Sequence, residues 1–473
     1  MSGIFGVVGN SNCISDLYYG IDYHSHMGTE YGGIAYINEK GKIKRTIHTI
    51  SNSQFKSKFD GTIKKINTSQ GIGVISDSYP QPLSFEGKFG TFAVCYAGLI
   101  TNREKLLNEL IIKGIPFSEI SHGKINTTEL IASIINQGTS IIDGIETLYS
   151  KINGSISLLV LTKEGIYCAR DKNGVTPLVI AEKEDSLAVA GESCAFPNLG
   201  YKIKKFLQPG EIVLIGKKGI ETQKEGNTSS KICAFLWIYT GFPTSSYDGI
   251  NVETVRENCG KYLAKRDDAE VDMVDGVPDS GTAHAIGYAI GSKKPYRRSL
   301  LKYTPGYGRS YTPPSQEVRD RIALMKLIAN EDIIKDKRIV MCDDSIVRGT
   351  QLKNFTIKKL KNANAKEIHL RIACPPLMFP CIYNLSTRST NELATRKAIR
   401  SIEGKDIEDV SEYIDQSSDK YQKMVDWISR DLGADSLKYM LLEDMIDALG
   451  VSKEKICTYC WNGKSVQKSL GSY

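Results

Sequence analysis

The 473-residue sequence has no apolar run near the ~20 residues that a membrane-spanning helix needs. Its start carries neither the charged n-region nor the apolar h-region of a secretory signal, which predicts a cytoplasmic protein. There is no internal repeat and no low-complexity segment. A formal net charge of +7 is mild for this length, and no basic run is interleaved with aromatics. Nucleic-acid binding is therefore not expected, whereas an anionic small substrate is. The eleven cysteines are odd in number and scattered, unlike a disulfide framework. Cys13, Cys95, Cys168, Cys194 and Cys342 lie in apolar or strand-like stretches and read as small core residues.

What is present divides in two. Residues 1 to about 225 are rich in short strand patterns such as "GIFGVVG", "GIGVISD", "GTFAVCYAGLI" and "SISLLVLT", separated by glycine and polar turns. Helical patterns intervene at "NREKLLNELIIKG" and "NTTELIASIINQG". This predicts an α+β unit of layered sheets and helices. The polar stretch "KKGIETQKEGNTSSK" predicts a linker. From 231 to 388 helices alternate with strands, which predicts an α/β unit with a parallel sheet. Residues 389–473 read as a polar, helical C-terminal tail.

The strongest local signal is "RIVMCDDSIVRGTQLKNF". A buried strand runs into Asp343 and Asp344, then a short loop, then a helix starting near Thr350. A bare Asp-Asp would be a solvated turn and a helix cap. After a buried strand of an open α/β sheet it stands where ligands bind. The loop from Ser345 to Thr350 can turn backbone N–H groups inward beside a helix N-terminus, which suits a phosphate. The aspartates then suit sugar hydroxyls or Mg²⁺ held indirectly.

That stretch resembles the phosphoribosylpyrophosphate (PRPP) signature of type I phosphoribosyltransferases. "DDSIVRGTQ" is specifically similar to the glutamine PRPP amidotransferase family, as are "GVPDSGTAHAIGYA" and "YGRSYTPPSQEVRDRIALMKL". The resemblance covers nearly the whole chain. It implies an N-terminal-nucleophile hydrolase-like fold for the first unit and a type I phosphoribosyltransferase fold for the second. It also implies that Ser280, Asp343 and Asp344 belong to a Mg²⁺–PRPP site. Ser345, Arg348, Gly349 and Thr350 would surround the 5′-phosphate, and Arg309 and Lys326 would contact pyrophosphate.

Near the end, "CTYC" holds Cys457 and Cys460. Alone, this spacing is open between zinc, a redox pair and free thiols. Some members of the family hold a 4Fe–4S cluster, and the resemblance extends to all four ligand positions: Cys233, Cys381, Cys457 and Cys460. Four thiolates suit a cubane.

The chain opens "MSGIFGVVGN", and removal of Met1 would expose Ser2. In the family a Cys in this place attacks glutamine. Here Ser2 replaces it, Met27 stands where an Arg would grip the carboxylate, Ala97 replaces the Asn of an oxyanion hole, and Thr127 replaces the Asp that would hold the amino group. A hydroxyl needs stronger base assistance than a thiol. Losing one oxyanion donor costs roughly 2.7–4 kcal/mol in other enzymes. These changes predict a degenerate glutaminase, with His26 a packed or surface residue.

The resemblance thus implies an amidophosphoribosyltransferase-like enzyme of purine biosynthesis that uses free ammonia, or ammonia from a separate glutaminase. Rival readings are glutamine use through Ser2, a non-catalytic PRPP or nucleotide sensor, and another phosphoribosyl acceptor. Intact "DDSIVRGT" and "VPDSG" argue against the sensor. A homo-oligomer and a purine nucleotide inhibitor are expected by analogy.

Overall fold

The computed structural model describes residues 2–303, 325, 327–383 and 389–465. The first half is built on two antiparallel sheets. The strand Ser2–Gly9 is apolar on both faces, as a central strand must be. It runs between Ser186–Ala190 and Gln70–Ser76 in a seven-stranded sheet. A second sheet of six strands centres on Gly154–Leu161 and Gly90–Ile100. Ile4, Val8 and Val74 of the first sheet meet Ala93, Leu159 and Val213 of the second in a core between them. Each outer face is covered by helices. Phe5 and Val7 pack on Leu17 and Ile21 of the helix Ile14–Asp22, and on Phe59 of the helix Phe55–Ile63. The helices Arg103–Ile112, Thr127–Ile135 and Ile141–Lys151 cover the second sheet. The result is the layered α+β arrangement expected.

The polar stretch read as a linker is largely something else. Gly219–Lys224 is an edge strand paired antiparallel to Ile212–Gly216. Lys217 and Lys218 form the turn, and Gly219 takes φ +112°, open to glycine. An edge strand with one solvated face needs few apolar residues, so its composition imitates a linker.

The second half holds a four-stranded parallel sheet in the order Met273–Gly276, Arg338–Asp343, Glu367–Ile372, Ser436–Tyr439. The helices Val252–Lys265 and Thr282–Ser292 pack on it, through Val255, Cys259 and Ala285. The segment after 389 contains the expected helices, among them Ala394–Glu403 and Asp419–Leu432. It also supplies the sheet's last strand, Ser436–Tyr439, whose Leu437 and Tyr439 enter the same core.

The halves are joined by buried charge. Arg170 is fully buried, donates to the carbonyls of Leu207 and Gly174, and pairs with Asp248 at 3.0 Å.

Candidate active site

The carboxyl ends of Met273–Gly276 and Arg338–Asp343 lie side by side, with Gly276 opposite Cys342. The loop after the first strand folds onto the end of the second, Val277 N–H donating to the Cys342 carbonyl at 2.9 Å. This approach excludes side chains at two positions. A Cβ on Gly281 would stand 2.2 Å from the Cys342 oxygen, and one on Gly276 would stand 2.3 Å from the Gly281 oxygen. The tight loop brings Ser280 Oγ to Asp343 Oδ1 at 2.8 Å. Asp344 N–H donates to the same oxygen at 3.0 Å, and the Ser345 hydroxyl donates to Asp344.

Both aspartates are buried. Burial, then the charge of Asp344, push the Asp343 carboxyl well above its ordinary pKa, against the Ser280 hydrogen bond. Burial also raises Asp344, opposed by hydrogen bonds from Ser345 and Ser280 and by the charge of Arg256. Two adjacent carboxyls held out of water with so little positive charge beside them fit a divalent cation.

The following loop reaches Gly349 at φ +76°, and the helix starts at Thr350 as expected. Arg348 is exposed and paired to Glu392 at 2.7 Å. Ser280, Asp343, Asp344 and Ser345 therefore converge, while Arg348 is engaged outside that cluster. Arg309 and Lys326 lie outside the described residues.

Ser2 is buried at the start of its strand, opposite Ser76, with its hydroxyl donating to Ser76 Oγ at 3.4 Å. The cavity beside it leaves about 20 Å³ for the centre of a water-sized molecule. Met27, Ala97, Val175 and Leu236 give it an apolar wall. Gly98 has φ +122°, and a Cβ there would stand 2.0 Å from the Ser155 oxygen. Thr127 is buried and accepts from Arg103 Nε at 3.0 Å. Cys13 and Cys95 are no substitute nucleophiles, because burial raises both thiols, that of Cys13 to about 12.

The sequence gives little sign of Glu192. It is buried, with His26 Nε2 2.6 Å from its Oε2. Oε1 accepts from Phe242 N–H at 2.9 Å and from the Tyr247 hydroxyl. His26 is thus tied to a carboxylate that holds residues 242–247 against the first half. His24 is a second surprise: fully buried, it lines the Ser2 cavity.

The four cysteines singled out also meet. Cys233 and Cys457 are register partners in a short parallel pairing of Ile232–Cys233 with Ile456–Cys457. A hydrogen bond with Cys381, then burial and the charges of the other three, raise the Cys460 thiol. Burial, then Cys457 and Cys381, raise Cys233; burial pushes Cys457 up to about 12. Among the described residues, no group of three or more His, Cys, Asp or Glu side chains is arranged to hold a metal ion. Cys233, Cys457 and Cys460 are buried and Cys381 is half-buried, and as a donor set four thiolates suit a cubane.

Comparison with known proteins agrees with this geometry. The glutamine amidotransferase domain family GATase_7 matches residues 69–198. An amidophosphoribosyltransferase of Bacillus subtilis is 30% identical over 98% of this chain and 93% of its own. One from Methanocaldococcus jannaschii is 29% identical over 98% and 97%. The solved glutamine PRPP amidotransferase of B. subtilis, complexed with ADP and GMP, superposes with a TM-score of 0.84 at 30% identity. That match covers 98% of this chain and 97% of the other. The layered first half and the parallel-sheet second half are accordingly a glutamine amidotransferase fold and a phosphoribosyltransferase fold, and the chain belongs to the amidophosphoribosyltransferase family of pentosyl-transferring enzymes.

Proposed function

We propose that the chain joins ammonia to PRPP, forming 5-phosphoribosylamine and releasing pyrophosphate, without hydrolysing glutamine itself. The cavity at Ser2 carries this reading. It leaves only about 20 Å³ for the centre of a water-sized molecule, and Met27 and Ala97 stand in its wall. Neither Met27 nor Thr127 offers charge to an amino acid's carboxylate or ammonium, and Thr127 already serves Arg103.

In this reading residues 1–225 are a glutaminase-like scaffold, 231–388 the phosphoribosyl-transferring unit and 389–473 its tail. Ser280, Asp343 and Asp344 hold Mg²⁺–PRPP. Ser345, Arg348, Gly349 and Thr350 surround the 5′-phosphate, which requires Arg348 to leave Glu392. Arg309 and Lys326 are assigned to pyrophosphate. Bound Mg²⁺ supplies positive charge for the departing pyrophosphate. The protein's part is to hold the ribose and to keep out water, which competes with the amine. Cys233, Cys381, Cys457 and Cys460 hold a structural 4Fe–4S cluster. The reaction belongs to purine biosynthesis, as for the solved relative described as the allosteric regulatory enzyme of that pathway. A purine nucleotide is the expected inhibitor, a homo-oligomer the expected assembly and the cytoplasm the expected location. Ammonia comes free or from a separate glutaminase.

The test is pyrophosphate release from PRPP and Mg²⁺, with ammonium and glutamine supplied separately. Release with ammonium alone supports the proposal. Release with glutamine means that Ser2 works in a rearranged pocket. Release with neither points to another acceptor or to a regulatory role.

A further inference from the structure

We propose that a second cavity of the phosphoribosyltransferase half, between Trp461 and Asp415, binds a small organic cation: an ammonium group on an apolar body.

The cavity lies at the carboxyl edge of the parallel sheet, the edge that also carries Asp343 and Asp344, where open α/β sheets bind ligands. One wall comes from the segment leaving Glu367–Ile372 and another from the segment leaving Ser436–Tyr439. Met440 N–H donates to the Ile372 carbonyl at 2.9 Å and holds the two departing segments together. About 350 Å³ is open to the centre of a water-sized molecule, against about 20 Å³ beside Ser2. That is within the range of small-ligand sites, about 300–1,000 Å³.

The lining is divided by depth. Met378 and Trp461 are buried, Leu441 is half-buried, and together they make the inner wall apolar. Asp415 and Glu443 are exposed and stand at the mouth, with Gln416 half-buried beside them. Among the described residues, no Lys, Arg or His lines the cavity. Asp415 Oδ1 accepts from the Ser417 N–H at 3.0 Å and from the Ser417 hydroxyl at 2.7 Å. These bonds hold its carboxyl below the ordinary pKa, so it is charged at neutral pH, and Oδ2 is left free to accept. The cation nearest Glu443 is Arg266, 4.0 Å away, and that guanidinium is already bidentate on Asp444.

This division fits one class of ligand. An apolar body gains by filling the inner wall, and an ammonium group meets two carboxylates at the mouth. The charge stays partly in water there, which avoids the cost of burying it. A nucleotide or PRPP would set its phosphates against Asp415 and Glu443, so the cavity is not a further site for either.

The test compares three probes with similar apolar bodies and different charge: 2-phenylethylammonium, 2-phenylethanol and 3-phenylpropanoate. Each is titrated calorimetrically into the full chain, purified without oxygen, at fixed ionic strength. The ammonium should bind saturably at one site per chain, the alcohol about three- to ten-fold more weakly, and the carboxylate not measurably. Asp415→Asn together with Glu443→Gln should weaken the ammonium by about the same factor and leave the alcohol unchanged. Both side chains are exposed, so the fold does not depend on them. Leu441→Trp, which fills the cavity, should abolish binding of the ammonium and the alcohol in a variant with an unchanged melting temperature. Absence of saturable ammonium binding, equal binding of all three probes, or ammonium binding that survives either variant overturns the proposal.

Discussion

Ser280 Oγ donates to Asp343 Oδ1 at 2.8 Å, joining two loops that are neighbours because their strands run parallel. The contact fixes one carboxyl of a buried pair whose pKa values are both raised. Replacing Asp343 and Asp344 together by Asn keeps size and removes the charge that a cation would meet. Pyrophosphate release should fall by about 10²–10³-fold or more, the scale of losing a preorganised electrostatic contact. Unchanged turnover would place the PRPP site elsewhere.

Ser2 tests the other half. Its hydroxyl is buried against Ser76, and the adjoining cavity has Met27 and Ala97 in its wall. Ser2→Ala should leave ammonia-dependent release intact. Loss of that activity in a folded variant would show that the serine does chemistry.

The thiol cluster predicts a colour. Protein purified without oxygen should be brown and carry about four irons per chain. Cys457→Ser should lower the iron content and the melting temperature, since Cys457 pairs with Cys233 across the junction. Colourless protein with stoichiometric zinc would contradict the assignment.

Glu192 predicts a pH dependence. Burial alone would raise its pKa, but the charge and hydrogen bond of His26, then His24 and Tyr247, bring it from 4.5 down to about 2. The folded state therefore binds fewer protons than the unfolded one. This contribution is present above about pH 4.5 and is lost as pH falls through about 2. Glu192→Gln should cost about 2 kcal/mol at neutral pH, because a charged acceptor of several hydrogen bonds is lost. The difference in melting temperature between the two proteins should narrow on acidification across that window. A gap that is constant down to pH 2 would mean that the carboxylate's charge is not what holds residues 242–247.

How much could be read from the sequence follows from how local each signal is. The strand, loop and helix around Asp343 and Asp344 are contiguous, and Ser280 is tied to them by a recognisable motif. The polar Gly219–Lys224 misled because an edge strand and a linker share a composition. Ser436–Tyr439 was hidden by its brevity and by Lys438 in its middle. His24 and Glu192 were harder still. A single histidine after a helix, or a single glutamate in "GESCAF", has no periodicity to betray it; only the folded neighbourhood gives either a role.

The sheet of the second half is finished by a strand drawn from far along the chain, and Cys233 meets its partner only at Cys457. During synthesis the first half can emerge and fold on the ribosome while the second cannot close. Its parallel sheet keeps an open edge until residues 436–439 leave the exit tunnel, and the thiols stay scattered until later still. Nascent chains are thus exposed to edge-to-edge aggregation for most of the second half's translation. Any cluster must be inserted after translation is nearly complete. A late frameshift or a starved ribosome would then be as damaging as an early one.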